Sequence, residues 1–205
     1  MTSRRDAKSL VPKQKSHNVA EVTDPRTEKT RALISGAFVA LLRRRPYARI
    51  HVSDITRKAG VGRATFYAHF ESKDALLYAE LIRVVNPMLG ELPGDPCLVD
   101  CTQLFAHLQQ APEIYRALMA GTTRVVTERI IQDALEARIA SIVALSSAQT
   151  DAAVPTRTFV PRFVAGTILA LIAWSLEQAG APTPVELQGT YRALVGRALQ
   201  GGAQG

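Results

Sequence analysis

His51-Val-Ser-Asp-Ile-Thr-Arg-Lys-Ala-Gly-Val-Gly-Arg-Ala-Thr-Phe-Tyr-Ala-His-Phe70 reads as two short helices joined by a tight turn. Val52, Ile55 and Ala59 fall at i, i+3 and i+7, one apolar stripe of a first helix. Gly60 stands where a left-handed residue ends such a helix, because glycine meets no Cβ penalty there. Val61 is the apolar residue that a helix-turn-helix corner buries, and a second helix begins near Gly62.

At roughly 100° per residue, Phe66 and Phe70 of that second helix point together into a core. Ala64, Thr65 and Ala68 point the opposite way, and Tyr67 and His69 lie on the two flanks. A small, polar face with a hydrogen-bonding group on either side suits a helix in the major groove of DNA. Small central residues can meet base edges there while flanking donors reach phosphates. Arg63 lies nearer the core side of the wheel; it serves because it is long and sits in the first turn, the end that helix-turn-helix proteins offer to bases.

The run Val52-x-x-Ile55-x-x-x-Ala59-Gly60-Val61-x-Arg63-x-Thr65-Phe66-Tyr67-x-His69-Phe70-x-Ser72-Lys73-x-x-Leu76-Leu77 resembles the DNA-binding domain of TetR-family transcriptional regulators. The Thr-Phe-Tyr-x-His-Phe-x-Ser-Lys string is far more specific than a bare helix-turn-helix spacing. The resemblance implies that Arg63, Ala64 and Thr65 face bases or nearby phosphates, and that Tyr67, His69 and Lys73 hold the DNA backbone. The cap positions His51 and Gly62 complete the DNA-facing set; the family usually places threonine or serine at the first and serine at the second. Glycine caps tolerably and histidine less well.

Charge divides unevenly along the chain. Residues 1–80 carry 16 Lys+Arg against 8 Asp+Glu, and residues 81–205 carry 9 against 10. A basic module on a near-neutral body is the electrostatic footprint of polyanion binding, though a solubilising face has the same composition. The 205 residues suit a small domain plus a larger one, or one extended helical domain, and 47% apolar content is ample for a core. Two cysteines argue against a disulfide scaffold and fit a reducing compartment. Residues 1–20 are basic and polar with no apolar signal core. The run from Phe163 to Leu176 is interrupted by Gly166, Thr167 and Ser175 and is shorter than the ~20 residues of a membrane span. A cytoplasmic location without a membrane partner is expected.

Residues 1–23 read as a disordered basic arm with Arg4, Arg5, Lys8, Lys13 and Lys15, able to enter a minor groove or merely to add sequence-independent attraction. Residues 24–83 form the DNA-binding domain, with the helix-turn-helix at 51–70. Asp24-Pro25 starts its first helix as N-cap and first-turn proline. Leu33, Ile34, Ala37, Phe38, Leu41 and Leu42 make its stripe. Arg43-Arg44-Arg45-Pro46-Tyr47 closes it, the arginines suiting either a helix C-terminus or steering of DNA. Ser72 caps the fourth helix, which connects the reading head to the body. Lys73 sits in its first turn against the helix dipole, an unfavourable place that a phosphate oxygen would explain.

By the same resemblance, residues 84–205 are expected to form an all-helical effector-binding and dimerisation domain. Pro87, Gly90, Pro93, Gly94 and Pro96 break the pattern before a helical stripe of Leu98, Cys101, Leu104, Phe105 and Leu108. Cys97 and Cys101 are four apart among leucines, without the spacing of a structural zinc site, and buried thiols are the simpler reading. A short helix from Pro112 stops at Gly121. A long one from Arg124 to Leu145 carries Ile131, Leu135, Ile139 and Ile142, and a polar loop spans residues 146–155. From Phe159 to Gln178 the chain is apolar nearly all round, which calls for cover on every side. Thr183-Pro184-Val185-Glu186 is a capping box opening the last helix, which Gly201-Gly202 ends. The closing pair looks like half of an intermolecular four-helix bundle, with Phe163, Ile168, Ile172, Tyr191, Leu194 and Val195 at the interface. The string Phe163 to Glu177 also resembles the penultimate helix of TetR-family C-terminal domains.

The resemblance implies a sequence-specific regulator binding double-stranded DNA as a homodimer at a near-palindromic operator, in the usual family outcome a repressor released by an unidentified small-molecule effector, although activators exist in the family. His107, Tyr115, Arg116, Arg124 and Trp174 are candidate effector contacts, apolar walls with sparse polar groups describing helical cores equally well. The alternative is a helix-turn-helix protein acting as a non-specific architectural or protein-interaction module. An enzyme would have to draw on His51, Ser53, Asp54 and His69, which form no nucleophile–base–orienter set. No catalytic residue, metal or other cofactor is expected.

Overall fold

The computed structural model describes residues 24–92, 99–146, 154–178, 180 and 182–200. The basic arm, Cys97, Leu98, the prolines and glycine at 93–96, residues 147–153 of the polar loop and Gly201-Gly202 lie outside the described residues. Within them the chain forms α1 (Pro25–Leu42), a 3-10 turn (Tyr47–Arg49), α2 (Val52–Ala59), α3 (Arg63–His69) and α4 (Lys73–Met88). A two-residue hairpin follows, β1 (Gly90–Glu91) antiparallel to β2 (Val99–Asp100). Then come α5 (Thr102–Gln110), α6 (Pro112–Met119), α7 (Arg124–Ser146), α8 (Val154–Glu177) and α9 (Pro184–Gln200).

Local chemistry sets most of these limits. Asp24 accepts the Arg26 N–H at 3.0 Å ahead of the first-turn proline of α1. Ser72 accepts the Ala75 N–H at 3.0 Å to open α4. Thr183 and Glu186 close a reciprocal box at the start of α9: Glu186 Oε2 accepts the Thr183 N–H at 2.7 Å and Thr183 Oγ1 accepts the Glu186 N–H at 3.3 Å. Gly60 ends α2 at φ 68°, ψ 30°, the left-handed conformation that favours glycine. α4 is continuous through residues 83 and 84 and admits Pro87 in its last turn.

α1, α2 and α3 enclose Ile34, Phe38, Leu42, Ile55, Phe66 and Phe70. Leu33, counted in the α1 stripe from the spacing, is exposed instead. In the body, α7 packs chiefly on α8 and α4, and its Ile131, Leu135, Ile139 and Ile142 are all buried. α5 packs on α9. The hairpin was not expected: Val99–Asp100, inside the stretch predicted as helix, are strand, and Cys101 is the N-cap of α5, not a residue within it. Two residues cannot hold a strand pair alone, and α9 supplies the missing partners. Gln188 accepts the Cys101 N–H at 3.0 Å and donates to Val99 O at 3.2 Å, while the Tyr191 hydroxyl accepts the Val99 N–H at 3.2 Å.

The α8 segment Phe159–Glu177 is long and apolar enough, by length and composition alone, to cross a membrane; one side of it, with Val164, Ala165, Ile168, Leu171 and Ile172, is buried in the helical core. Ile168 and Ile172 of α8, with Tyr191 and Val195 of α9, are buried within this one chain. Their assignment to a subunit interface is corrected accordingly: the interior between α8, α9 and the rest of the body already encloses them. Of the six residues so assigned, Leu194 is exposed and Phe163 partly buried, and they are joined at the surface by Phe159, Trp174 and Val185.

Candidate nucleic-acid interface

α3 is held from behind. Phe66 is fully buried and Phe70 nearly so, with ring centroids 5.9 Å apart, and the Arg31 guanidinium lies 4.9 Å over the Phe70 ring. Burying one such aromatic side chain stabilises the fold by about 2–3 kcal/mol, so the inward face of α3 is fixed. Gly62, Arg63, Ala64, Thr65, Tyr67 and Ala68 are exposed and His69 is half-buried, the division the helical wheel predicts. A β-carbon on Gly62 would meet only Thr65 Oγ1 at 3.7 Å, an ordinary contact, so nothing steric requires glycine there.

α2 is braced by charge. Asp54 accepts the His51 N–H at 3.0 Å and pairs with Arg57 at 2.8 Å and Arg45 at 3.2 Å. That N–H bond, then the Arg45 charge, holds the Asp54 carboxyl below the usual carboxylate range against some desolvation. Asp54 is thereby a capping and pairing residue. Of the three arginines closing α1, Arg45 is tied to Asp54 and Arg43 to Glu113 of α6 at 2.8 Å, while Arg44 is exposed.

Lys73 has partners within the chain. Its ammonium donates to Tyr47 O at 3.0 Å and Ile50 O at 2.8 Å and lies 3.9 Å over the Tyr47 ring. Burial lowers its pKa, the neighbouring Asp74 opposing. The unfavourable first-turn position is explained by partners inside the chain, without a phosphate oxygen. Tyr47 itself is buried and donates its hydroxyl to Asp74; burial, then the Asp74 bond, raises its pKa well above the usual phenol value. Arg31, Tyr47 and Asp74 escaped the sequence reading because their partners stand 26 to 39 positions away and only the tertiary fold joins them. An aromatic residue straight after a proline in a basic stretch was the one available hint.

The body holds a groove of about 660 Å³ between the first turns of α4 and the outer face of α7, reaching Arg162 of α8. Ser72, Asp74, Tyr78, Arg129, Ile130 and Asp133 are among its walls. Burial, then Asp133, raises the Tyr78 pKa. None of the five candidate effector residues lines it. Arg124 pairs with Glu128 at 2.6 Å, Arg116 donates to Leu176 O at 3.4 Å, and Trp174 is 46% exposed. Tyr115 is buried, which pushes its phenol up, and His107 is half-buried with its pKa lowered by burial and by Arg83. Cys101 is a buried free thiol whose pKa burial raises.

Residues 34–79 match the family described as bacterial regulatory proteins, tetR family. The uncharacterised HTH-type transcriptional regulator YxbF of Bacillus subtilis is 39% identical over 70 residues, 34% of this chain and 18% of that protein. The HTH-type transcriptional regulator EthR of Mycobacterium tuberculosis is 52% identical over 61 residues, 27% of this chain and 28% of EthR. The chain thus spans less than a third of the length of either relative. A TetR transcriptional regulator from Streptococcus agalactiae shares the fold across 86% of this chain and 99% of its own, with a TM-score of 0.56 at 23% identity.

Proposed function

We propose that this chain, a member of the TetR family of DNA-binding helix-turn-helix transcriptional regulators, acts as a homodimeric repressor that leaves its operator when a small molecule enters the helical body. The observation that carries the DNA-reading part is the two-sided build of α3. Phe66 and Phe70 anchor one side, and Arg63, Ala64, Thr65 and Tyr67 are exposed together on the other. Such a helix can lie in a major groove with Arg63, Ala64 and Thr65 toward base edges and Tyr67 and His69 toward phosphates. Two copies related by a two-fold axis would present two such helices one helical turn apart, about 34–36 Å or a multiple of it, so the operator is a near-palindrome. The exposed Phe159, Trp174, Val185 and Leu194 on α8 and α9 support pairing through those helices.

For the effector, the groove beside α4 is the candidate site. Its volume suits a small molecule, and an occupant would touch both α7 and the first turns of α4, directly behind the reading head. Effector and DNA then lower each other's affinity by one common factor. The experiment is footprinting of purified protein on the DNA flanking its own gene, at two salt concentrations, with specific and scrambled competitors, followed by transcription from the protected promoter. A near-palindromic footprint that survives scrambled competitor, with transcription falling as protein is added, is the expected result. Protection lost equally to any competitor would replace the regulator by a non-specific architectural protein.

A further inference from the structure

We propose that Lys73 is a positioning residue for DNA recognition: it ties the entrance of the helix-turn-helix to its exit and so fixes the frame in which α3 is presented. The inference rests on the DNA-binding reading above. Ile50 is the last residue before His51, the N-cap of α2, and Ser72 is the N-cap of α4, two residues beyond Phe70 at the end of α3. Both ends of the α2–α3 unit therefore converge on the first residue of α4. There the Lys73 ammonium donates to Ile50 O at 2.8 Å and Tyr47 O at 3.0 Å. An ammonium has three donors, and two are committed to main-chain oxygens.

The Tyr47 ring completes the clamp. It lies 3.9 Å from Nζ, where its face stabilises a partly desolvated cation. The ring is fixed in turn, being 1% exposed, edge-on to Phe38 of α1 and hydrogen-bonded through its hydroxyl to Asp74. Adjacent residues of α4 thus grip one corner from two directions, the cation by its carbonyls and ring, the carboxylate by its hydroxyl. The corner precedes α2, and α2 packs on α3. Releasing the ammonium would leave α2 and α3 folded yet free to shift against α4.

The test compares Lys73→Met, which keeps the stem and removes the charge, with the unaltered protein on the footprinted operator and on a scrambled duplex, across a range of salt. Amide hydrogen exchange over residues 47–54 is followed without DNA. A positioning role predicts operator affinity lower by on the order of tenfold, a smaller loss on the scrambled duplex, an unchanged slope of log K against log salt, and faster exchange over residues 47–54. A slope flatter by about one per lysine, with exchange unchanged, would make Lys73 a phosphate contact and overturn the proposal. A folded variant with unaltered operator affinity would overturn it equally, since a purely structural role lowers stability alone. If Lys73→Met does not fold, Lys73→Arg decides: it keeps the charge, so a phosphate role leaves operator affinity unaltered, whereas the planar guanidinium cannot take the ammonium's place between two carbonyls and the Tyr47 ring, and under the clamp affinity falls at constant slope. Should the unaltered protein protect no site, the DNA-binding reading fails, and the exchange measurement still reports on the clamp.

Discussion

Arg63 is the first residue of α3 and is exposed, so it stands where a long side chain can reach a base edge while its backbone starts the helix. Arg63→Ala should relax selectivity at particular operator positions, by about 1–3 kcal/mol at the affected base pair, read from binding to a panel of single-base operator variants. An equal loss on every duplex would remove Arg63 from base reading. Tyr67→Phe should instead weaken all duplexes alike if, as proposed, its exposed hydroxyl meets a phosphate. The exposed face of α3 was legible because the wheel depends only on spacing, and Phe66 and Phe70 leave α3 one orientation. The intrachain partners of Lys73 were hidden for a complementary reason. Its sequence position shows a cation opposed to a helix dipole but cannot show Tyr47 O and Ile50 O, which arrive from 26 and 23 residues upstream.

Among the elements, the turn between α2 and α3 depends on backbone conformation alone. A β-carbon on Gly60 would meet nothing within 4 Å, yet its φ is +68°. Gly60→Ala should therefore destabilise the head by about 1–2 kcal/mol with no steric clash, measured as a lower urea midpoint at unchanged m. The Asp54 brace adds a pH dependence. Its folded-state pKa is depressed by the His51 N–H and the Arg45 charge, so its stabilisation is present above the unfolded value near 4 and fades as pH falls through the folded one. Urea midpoints should drop on acidification below about pH 4, and Asp54→Asn should lower them near neutrality and flatten that drop; an unaltered profile would mean the brace adds nothing. Helices α1 to α4, α6, α7 and α9 were readable from caps and periodicity. The hairpin was not, because β2 and the residue after it are held by Gln188 and Tyr191, side chains about ninety residues downstream.

For the whole molecule, the excess apolarity of α8 was read as a demand for a partner subunit, and the structure divides that demand. Val164, Ala165, Ile168, Leu171 and Ile172 are enclosed by the same chain, whereas Phe159 and Trp174 stay 62% and 46% exposed, as does Leu194 of α9 at 54%. A sequence can show that a helix is apolar all round, but which side meets its own chain depends on where α7 and α9 pack. This division fixes how the proposed dimer should be tested. Ile168→Glu would place a charge in a closed interior and unfold the protomer, so loss of a dimer there would mean nothing. Trp174→Glu combined with Leu194→Glu changes surface residues only, and the protomer should keep its helical circular dichroism. Light scattering should then find monomers, and operator binding should weaken by at least about a hundredfold because each reading head must find its half-site alone. A dimer that persists in this variant would put the interface elsewhere, with the exposed Val125 and Val126 at the start of α7 as the next surface to charge.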